Sequence, residues 1–81
     1  MQVRFYTRDG CHLCKEALTV LQELQKEFKF QVQLINISSC PDLEATYGDD
    51  IPVAEIDGQK IFKHRANLSA LRRILQGRIC K

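Results

Sequence analysis

The sequence predicts an α/β fold in which a mixed four-stranded sheet is flanked by three helices, in the order βαβαββα. Three patterns support this: apolar and polar residues alternate near the N-terminus, a helical stripe of apolar residues follows, and Asp57-Gly58 marks a hairpin. A βαβ half followed by a ββα half gives one sheet with helices packed on it. The 81-residue length suits one domain, which we expect to span residues 1–81.

The first half of the chain is predicted to form the βαβ unit. Val3 and Phe5 alternate with polar neighbours, which is typical of a half-buried strand over residues 2–7. Residues 30–37 are rich in β-branched and large apolar side chains and are predicted as the second strand. A long amphipathic helix is expected to begin at or near Cys11, because apolar residues then recur at helical spacing: Leu13, Ala17, Val20, Leu21, Leu24 and Phe28.

The second half is predicted to supply a short helix, a hairpin and a last helix. Pro41 suits the first turn of the short helix, and Gly48 suits its end. The segments IPVAEI and QKIFK are expected to pair as antiparallel strands, because Asp57-Gly58 favours a two-residue hairpin loop. Asn67 is expected to cap a last helix that ends at Gly77.

Composition and charge narrow the class of partner. The chain is 44% hydrophobic and 27% charged, with a formal charge of +2, which is too small to indicate a polyanionic partner such as nucleic acid. No apolar run reaches the roughly 18 residues that span a bilayer, so we expect no membrane partner. The opening MQVRFYT lacks the features of a signal peptide, so we expect a cytoplasmic location. We also expect a monomer.

The most informative motif is Cys11-His12-Leu13-Cys14. Spacing three on a helix places both sulfurs on one face, and a helix N-terminus lowers the pKa of a thiol. Thiol–disulfide exchange needs one exposed thiolate and a second thiol that resolves the mixed disulfide. We therefore predict Cys11 as the nucleophile and Cys14 as the resolving thiol. Arg8 and a protonated His12 are predicted to tune the pair by adding positive potential, which Asp9 opposes.

Three other interpretations of the cysteine pair remain open at this stage. A zinc or iron–sulfur module needs about four ligands, so Cys40, Cys80, His12 or His64 would have to converge on the pair. The two thiols can also be packing residues, or the domain a catalytically silent adaptor. The redox interpretation is favoured because a Cys-x-x-Cys beside a βαβ pattern in a reducing compartment is typical of redox proteins. Packing or capping is expected for Cys40, and no fixed partner for Cys80.

The second informative site is Ile51-Pro52-Val53. A proline that opens a strand is often an edge device, because it removes one donor from the ladder. The sharper hypothesis is a cis Ile51–Pro52 bond that leaves the backbone of Ile51 free to pair with an extended substrate beside the thiol. On that hypothesis, Ile51 and Pro52 are substrate-binding residues.

Taken together, these motifs resemble the glutaredoxin branch of the thioredoxin superfamily, and within it the small glutaredoxin-like proteins with a Cys-x-Leu-Cys centre. The resemblance covers nearly the whole chain, from a first strand ending in Phe5-Tyr6-Thr7 to Ile51-Pro52-Val53 before the hairpin and last helix. It implies a thioredoxin-like fold, Cys11 as nucleophile, Cys14 as resolving thiol, and Pro52 as a cis-proline beside them. It also places Arg8 where glutaredoxins carry a basic residue near the glutathione carboxylate.

The sequence departs from the glutaredoxin pattern at two places. Cys-His-Leu-Cys replaces the usual Cys-Pro-Tyr-Cys, and residues 63–67 replace a Gly-Gly pair followed by an acidic residue. The resemblance implies that no cofactor is bound and that glutathione is a possible reductant or co-substrate. The predicted function is a glutaredoxin-like thiol–disulfide oxidoreductase whose partners are a disulfide-bearing protein or small thiol and an external reductant.

Overall fold

The computed structural model describes residues 2–79 and confirms the predicted order of elements. The elements are β1 (Gln2–Thr7), α1 (His12–Leu24), β2 (Gln31–Asn36), α2 (Pro41–Tyr47), β3 (Val53–Ile56), β4 (Gln59–Lys63) and α3 (Leu68–Ile79). The sheet order is β2-β1-β3-β4, with β1 parallel to β2 and antiparallel to β3, and with β3 antiparallel to β4.

The two faces of the sheet are covered by different helices. Successive side chains of β1 point to opposite faces, so this strand contributes residues to both. Phe5 lies on the face that packs against α1 and α3, where Leu21 and Leu71 are almost fully buried. Tyr6 lies on the other face, in a smaller cluster with partly buried residues of α2 such as Leu43. The central strand β1 therefore belongs to both apolar clusters, and its C-terminal end leads directly into α1.

Helix α1 begins where the apolar stripe predicts but ends before the stripe does. Its last regular residue is Leu24, whereas the stripe continues to Phe28, which is buried. The backbone N–H groups of Lys26 and Glu27 bond to carbonyl oxygens three residues earlier, so the chain tightens and leaves the α-helix. The spacing of apolar residues thus predicted which residues are buried, and only the helix boundary was wrong.

The hairpin forms at the predicted turn. Asp57 and Gly58 both have positive φ angles, 51° and 81°, which is the backbone of the two-residue loop that Asp-Gly favours. Ile56 pairs with Gln59 directly beside the loop, and a register shift follows between Ala54 and Glu55.

The last helix is capped as predicted but ends later. The Asn67 side-chain oxygen accepts a 2.9 Å hydrogen bond from the backbone N–H of Ala70. The predicted end at Gly77 is wrong, because α3 runs through this residue to Ile79. Gly77 has no positive φ, and a glycine that keeps helical angles weakens a helix without ending it. By contrast, α2 does end at Tyr47, directly before Gly48.

The two glycines Gly58 and Gly77 predict opposite effects of the same substitution. An added Cβ meets no atom within 4 Å at either position, so backbone conformation alone decides the outcome. Gly58→Ala should lower the free energy of unfolding by about 1 kcal/mol, because alanine disfavours positive φ. Gly77→Ala should raise it by about 0.5–1 kcal/mol, because alanine has the higher helix propensity. Urea unfolding checks both, and changes of equal sign would contradict the assignment.

Candidate functional site

Cys11 and Cys14 lie where β1 gives way to α1. Gly10, with φ at +73°, turns the chain after the strand, and Cys11 occupies the N-cap position with extended backbone angles. A disulfide joins the two cysteines, whose Cα atoms are 5.2 Å apart. The structure therefore brings together the two residues predicted as nucleophile and resolving thiol.

The two sulfurs sit in unequal surroundings. Cys14 is 3% exposed and belongs to the main apolar cluster, whereas Cys11 is half-buried at the edge of that cluster. The backbone N–H of Cys14 donates a 3.1 Å hydrogen bond to Sγ of Cys11, and the first turn of α1 carries no acidic residue. The positive end of the helix therefore faces the more accessible sulfur without a neighbouring carboxylate in that turn.

Arg8 ties the loop before the cysteines to α2. Its Nη2 donates to Oε1 of Glu44 at 2.6 Å and to the carbonyl oxygen of Gly48 at 3.0 Å. A Cβ on Gly48 would collide with the carbonyl of Glu44 and approach Nη2 of Arg8, so glycine permits this close packing. Arg8 is thus paired with a carboxylate, which weakens the positive potential that it was predicted to supply.

His12 lies between the cysteines in sequence but points into solvent. Its side chain is 84% exposed, and Nε2 is 3.7 Å from Oε1 of Glu16, one turn further along α1. The protonated imidazole is therefore placed to pair with Glu16. Its predicted tuning of the cysteines stays a prediction.

The loop before β3 shares an apolar cluster with the cysteine pair. The Ile51–Pro52 peptide bond is cis, and the half-buried Ile51 packs against both apolar clusters, one of which also holds Cys11. The backbone N–H of His64 donates to the carbonyl oxygens of Asp50 and Pro52, at 3.0 and 2.9 Å. Among residues 2–79, neither backbone group of Ile51 has a hydrogen-bond partner, so this residue offers a free donor and acceptor.

A carboxylate and three basic residues surround the same loop. Asp50 Oδ2 accepts a 3.1 Å hydrogen bond from Nζ of Lys60, and Oδ1 lies 3.8 Å from Nε2 of His64. The hydrogen bond from Lys60 is the main reason that the pKa of Asp50 is lowered, and the charges of Lys60, Lys63 and His64 add to it. The carboxylate therefore stays ionised and links the loop before β3 to Lys60 of β4.

A buried polar cluster under α2 was missed by the sequence analysis. Glu55 is 8% exposed, and its carboxylate accepts hydrogen bonds from the hydroxyls of Tyr6 and Tyr47, at 3.2 and 3.0 Å. The two rings stack with centroids 4.0 Å apart. The Tyr6 hydroxyl, burial and the Glu55 carboxylate raise the pKa of Tyr47. A lone acidic residue inside the apolar strand VAEI was the available signal, because a buried carboxylate needs donors.

Of the remaining cysteines, Cys40 is a free thiol and Cys80 lies outside the described residues. Cys40 is a half-buried free thiol at the N-cap of α2, where its side chain makes no capping hydrogen bond. Its carbonyl oxygen accepts the first main-chain hydrogen bond of the helix, from the N–H of Glu44. Cys80 falls outside residues 2–79, and its predicted lack of a partner stays a prediction.

The described residues contain neither a metal-binding cluster nor a membrane-spanning helix. Within residues 2–79, no group of three or more His, Cys, Asp and Glu side chains is arranged to hold a metal ion. In the same part of the chain, no helix combines the length and apolar character needed to cross a bilayer.

Comparison with known proteins gives a consistent family and fold. Residues 2–76 match the glutaredoxin-like domain family, DUF836. A glutaredoxin-like protein of Dictyostelium discoideum is 32% identical over 71 residues, which are 80% of this chain and 66% of that relative. The chain thus spans just under two thirds of the length of this curated relative.

Two solved structures share the fold. A structural-genomics protein from X. campestris has a TM-score of 0.76 and 28% identity, covering 93% of this chain and 96% of its own. Thioredoxin 1 from Thermosipho africanus has a TM-score of 0.62 and 21% identity, covering 96% of this chain and 98% of its own. These likenesses confirm the predicted thioredoxin-like fold.

The contacts of Asp50 predict how its pKa responds to loss of each lysine. Lys60→Met should raise the pKa of Asp50 toward the ordinary value of about 3.9, because it removes the hydrogen bond and a charge. Lys63→Met is the matched control and should raise it less, since Lys63 acts through charge alone. Carboxyl carbon NMR titrations measure both values.

The same shift sets the sign of a pH effect on stability. A lowered pKa means that the carboxylate stabilises the fold above its unfolded pKa, and that this stabilisation is lost as pH falls through the folded pKa. The difference in unfolding free energy between the native chain and Lys60→Met should therefore shrink below about pH 4. A difference that grows toward acid would contradict the assignment.

Proposed function

The chain belongs to the glutaredoxin-like domain family (DUF836), and from that premise we propose that it is a thiol–disulfide oxidoreductase acting through Cys11 and Cys14. The observation that carries the proposal is the Cys11–Cys14 disulfide at the start of α1, in which Cys11 is half-buried and Cys14 is almost fully buried. A redox couple needs this asymmetry, because one sulfur must meet the substrate while the other resolves the intermediate.

The reaction starts from the reduced pair. The thiolate of Cys11 attacks one sulfur of a substrate disulfide, the substrate S–S bond breaks, and the leaving thiolate takes up a proton. Cys14 then loses its proton and attacks Sγ of Cys11, which releases the second substrate thiol and forms the Cys11–Cys14 disulfide. Two electrons pass from the protein dithiol to the substrate, and an external thiol reductant restores the dithiol.

The start of α1 supports the choice of Cys11 as nucleophile. In the oxidised pair, the backbone N–H of Cys14 already points at Sγ of Cys11. The same N–H and the helix N-terminus favour the negative charge of a thiolate at this position. Arg8 is held by Glu44, and His12 lies beside Glu16, so the helix end supplies the stabilisation that depends least on other charges.

The free backbone groups of Ile51 support a role in substrate binding. They lie in the loop that shares an apolar cluster with Cys11, and an extended segment of a disulfide-bearing substrate can pair with them. Glutathione remains part of the proposal as a possible reductant or co-substrate. We place the activity in the cytoplasm, where reducing systems keep such a dithiol available.

Trapping experiments test the proposed roles of the two cysteines. Cys14→Ser should accumulate a mixed disulfide at Cys11 when mixed with glutathione disulfide, because the resolving thiol is missing. Cys11→Ser should form no such adduct at Cys14, which is buried. Cys40→Ser is the matched control and should keep the behaviour of the native chain. Intact mass and peptide mapping locate the adducts, and an accessible Cys11 that traps nothing would argue against the mechanism.

Equilibration in glutathione redox buffers tests whether the pair is a reversible couple. The fraction of Cys11–Cys14 disulfide should rise and fall with the ratio of glutathione disulfide to glutathione, and alkylation followed by mass measurement reads it out. A pair that stays in one state across the whole series would remove the redox proposal. Metal content of the freshly purified protein would then separate a metal module from an adaptor.

A further inference from the structure

A cleft beside the cysteine pair lies on the β2 side of strand β1, whereas Ile51 precedes β3 on the other side of that strand. In the sheet, β2 and β3 lie on opposite sides of β1, so a cleft bordered by β2 is separate from the loop that precedes β3. This cleft has a volume of about 270 Å³ and is lined by both cysteines. A second cavity of about 400 Å³ lies between α1 and the β4–α3 loop. Neither cysteine lines it, so a group bound there would not touch the reacting sulfurs.

One wall of the cleft is an exposed apolar surface. Leu34 of the edge strand β2 is 57% exposed, although it is a large hydrophobic residue. Leu18 of α1 is half-buried, and Phe5 of β1 is almost fully buried; both line the same cleft. Apolar surface that stays exposed beside a reactive group is typical of a binding site.

The rim of the cleft carries an unpaired positive charge. Lys15 is exposed, and among the described residues it is in no ion pair. Asp9 also lines the cleft, and its Oδ1 accepts a 2.8 Å hydrogen bond from Nδ2 of Asn36, which anchors the carboxylate on β2 and leaves its charge in place. Arg8 also lines the cleft but is bound to Glu44. Lys15 is therefore the basic side chain of this rim that an acidic substrate residue can pair with.

The size of the cleft indicates what part of a substrate enters it. Sites that enclose a whole small ligand measure about 300–1,000 Å³, and this cleft lies at the lower edge of that range. It has room for one large apolar side chain. Because both cysteines form part of its lining, that side chain has to belong to a residue close to the substrate sulfur under attack.

We propose that this cleft is a specificity subsite for a polypeptide disulfide. It receives a large apolar side chain next to the reactive half-cystine, and Lys15 selects an acidic residue beside that side chain. The proposal rests on the oxidoreductase function above and names the class of substrate: a disulfide-bearing polypeptide with apolar and acidic residues around its cysteine.

Single-turnover oxidation of the reduced chain by peptide disulfides tests the subsite. The probes are disulfide-linked peptide dimers with the cores Leu-Cys-Leu and Ser-Cys-Ser, each flanked by either Glu or Lys. The measurement is the rate of Cys11–Cys14 disulfide formation, quenched by alkylation and read by mass. We expect the leucine peptide to react about tenfold faster than the serine peptide, the size of one apolar pocket contact. Glu flanks should give about threefold over Lys flanks, the size of one exposed charge pair.

Two variants and two matched controls assign these preferences to the cleft. Leu34→Asn should remove the preference for leucine, whereas Leu68→Asn, at another large exposed apolar residue, should retain it. Lys15→Glu should reverse the preference for Glu flanks. Lys29→Glu makes the same change in net charge away from the cleft and should retain that preference. Because each result is a ratio of two peptide rates, a general loss of activity does not change it.

The outcomes separate this proposal from the function on which it rests. If the reduced native chain reacts with no peptide disulfide, the oxidoreductase proposal itself fails. If it reacts with all peptides equally, or if Leu34→Asn keeps the leucine preference, the subsite is overturned while the reaction stands. If Leu34→Asn slows glutathione disulfide as much as the leucine peptide, the cleft serves small disulfides and the polypeptide assignment is overturned.

Discussion

The packing of α1 across the central strand is the constraint on which the candidate site depends. Ala17, Leu21 and Leu24 bury one face of the helix against the sheet, and Cys14 continues the same stripe by one turn. Burial of this stripe is the main favourable term that fixes the helix on the sheet. It also fixes which sulfur is withdrawn into the core and which stands at the helix end. The chemical asymmetry of the pair follows from ordinary core packing.

The electrostatics of the site come more from backbone than from side chains. Both of the charged residues predicted to tune the pair have a carboxylate partner: Arg8 has Glu44, and His12 has Glu16. The His12–Glu16 pair is exposed, so it contributes little and is screened by salt, whereas the half-buried Arg8–Glu44 pair leaves Arg8 with its charge already matched. The N–H groups at the start of α1 are fixed by the fold and keep their direction. Helix placement therefore determines the potential at Cys11 more directly than the surrounding charged residues do.

Sequence patterns predicted the fold well because they reflect local physics. The Asp57-Gly58 turn and the Asn67 cap depend on a few adjacent residues, and both formed as expected. The helix ends were less predictable, since Gly77 keeps helical angles that only the folded backbone reveals. Arg8 and its partner Glu44 are 36 residues apart in the sequence. Glu55 and its partner Tyr6 are 49 residues apart, and no local pattern encodes contacts over such distances. The cysteine pair was predictable because its two members share one helical turn.

The tyrosine–carboxylate cluster has a consequence for how the molecule opens. Helix α2 has seven residues, too few to be stable alone in water, and none of them is fully buried. Its Tyr47 nevertheless donates to the buried carboxylate of Glu55, so detaching the helix would leave that carboxylate short of a donor. Local opening of α2 thus has a free-energy cost that depends on the buried carboxylate of Glu55 in β3. Opening of this short helix therefore differs from the fraying of a surface turn, because it breaks a hydrogen bond anchored on β3.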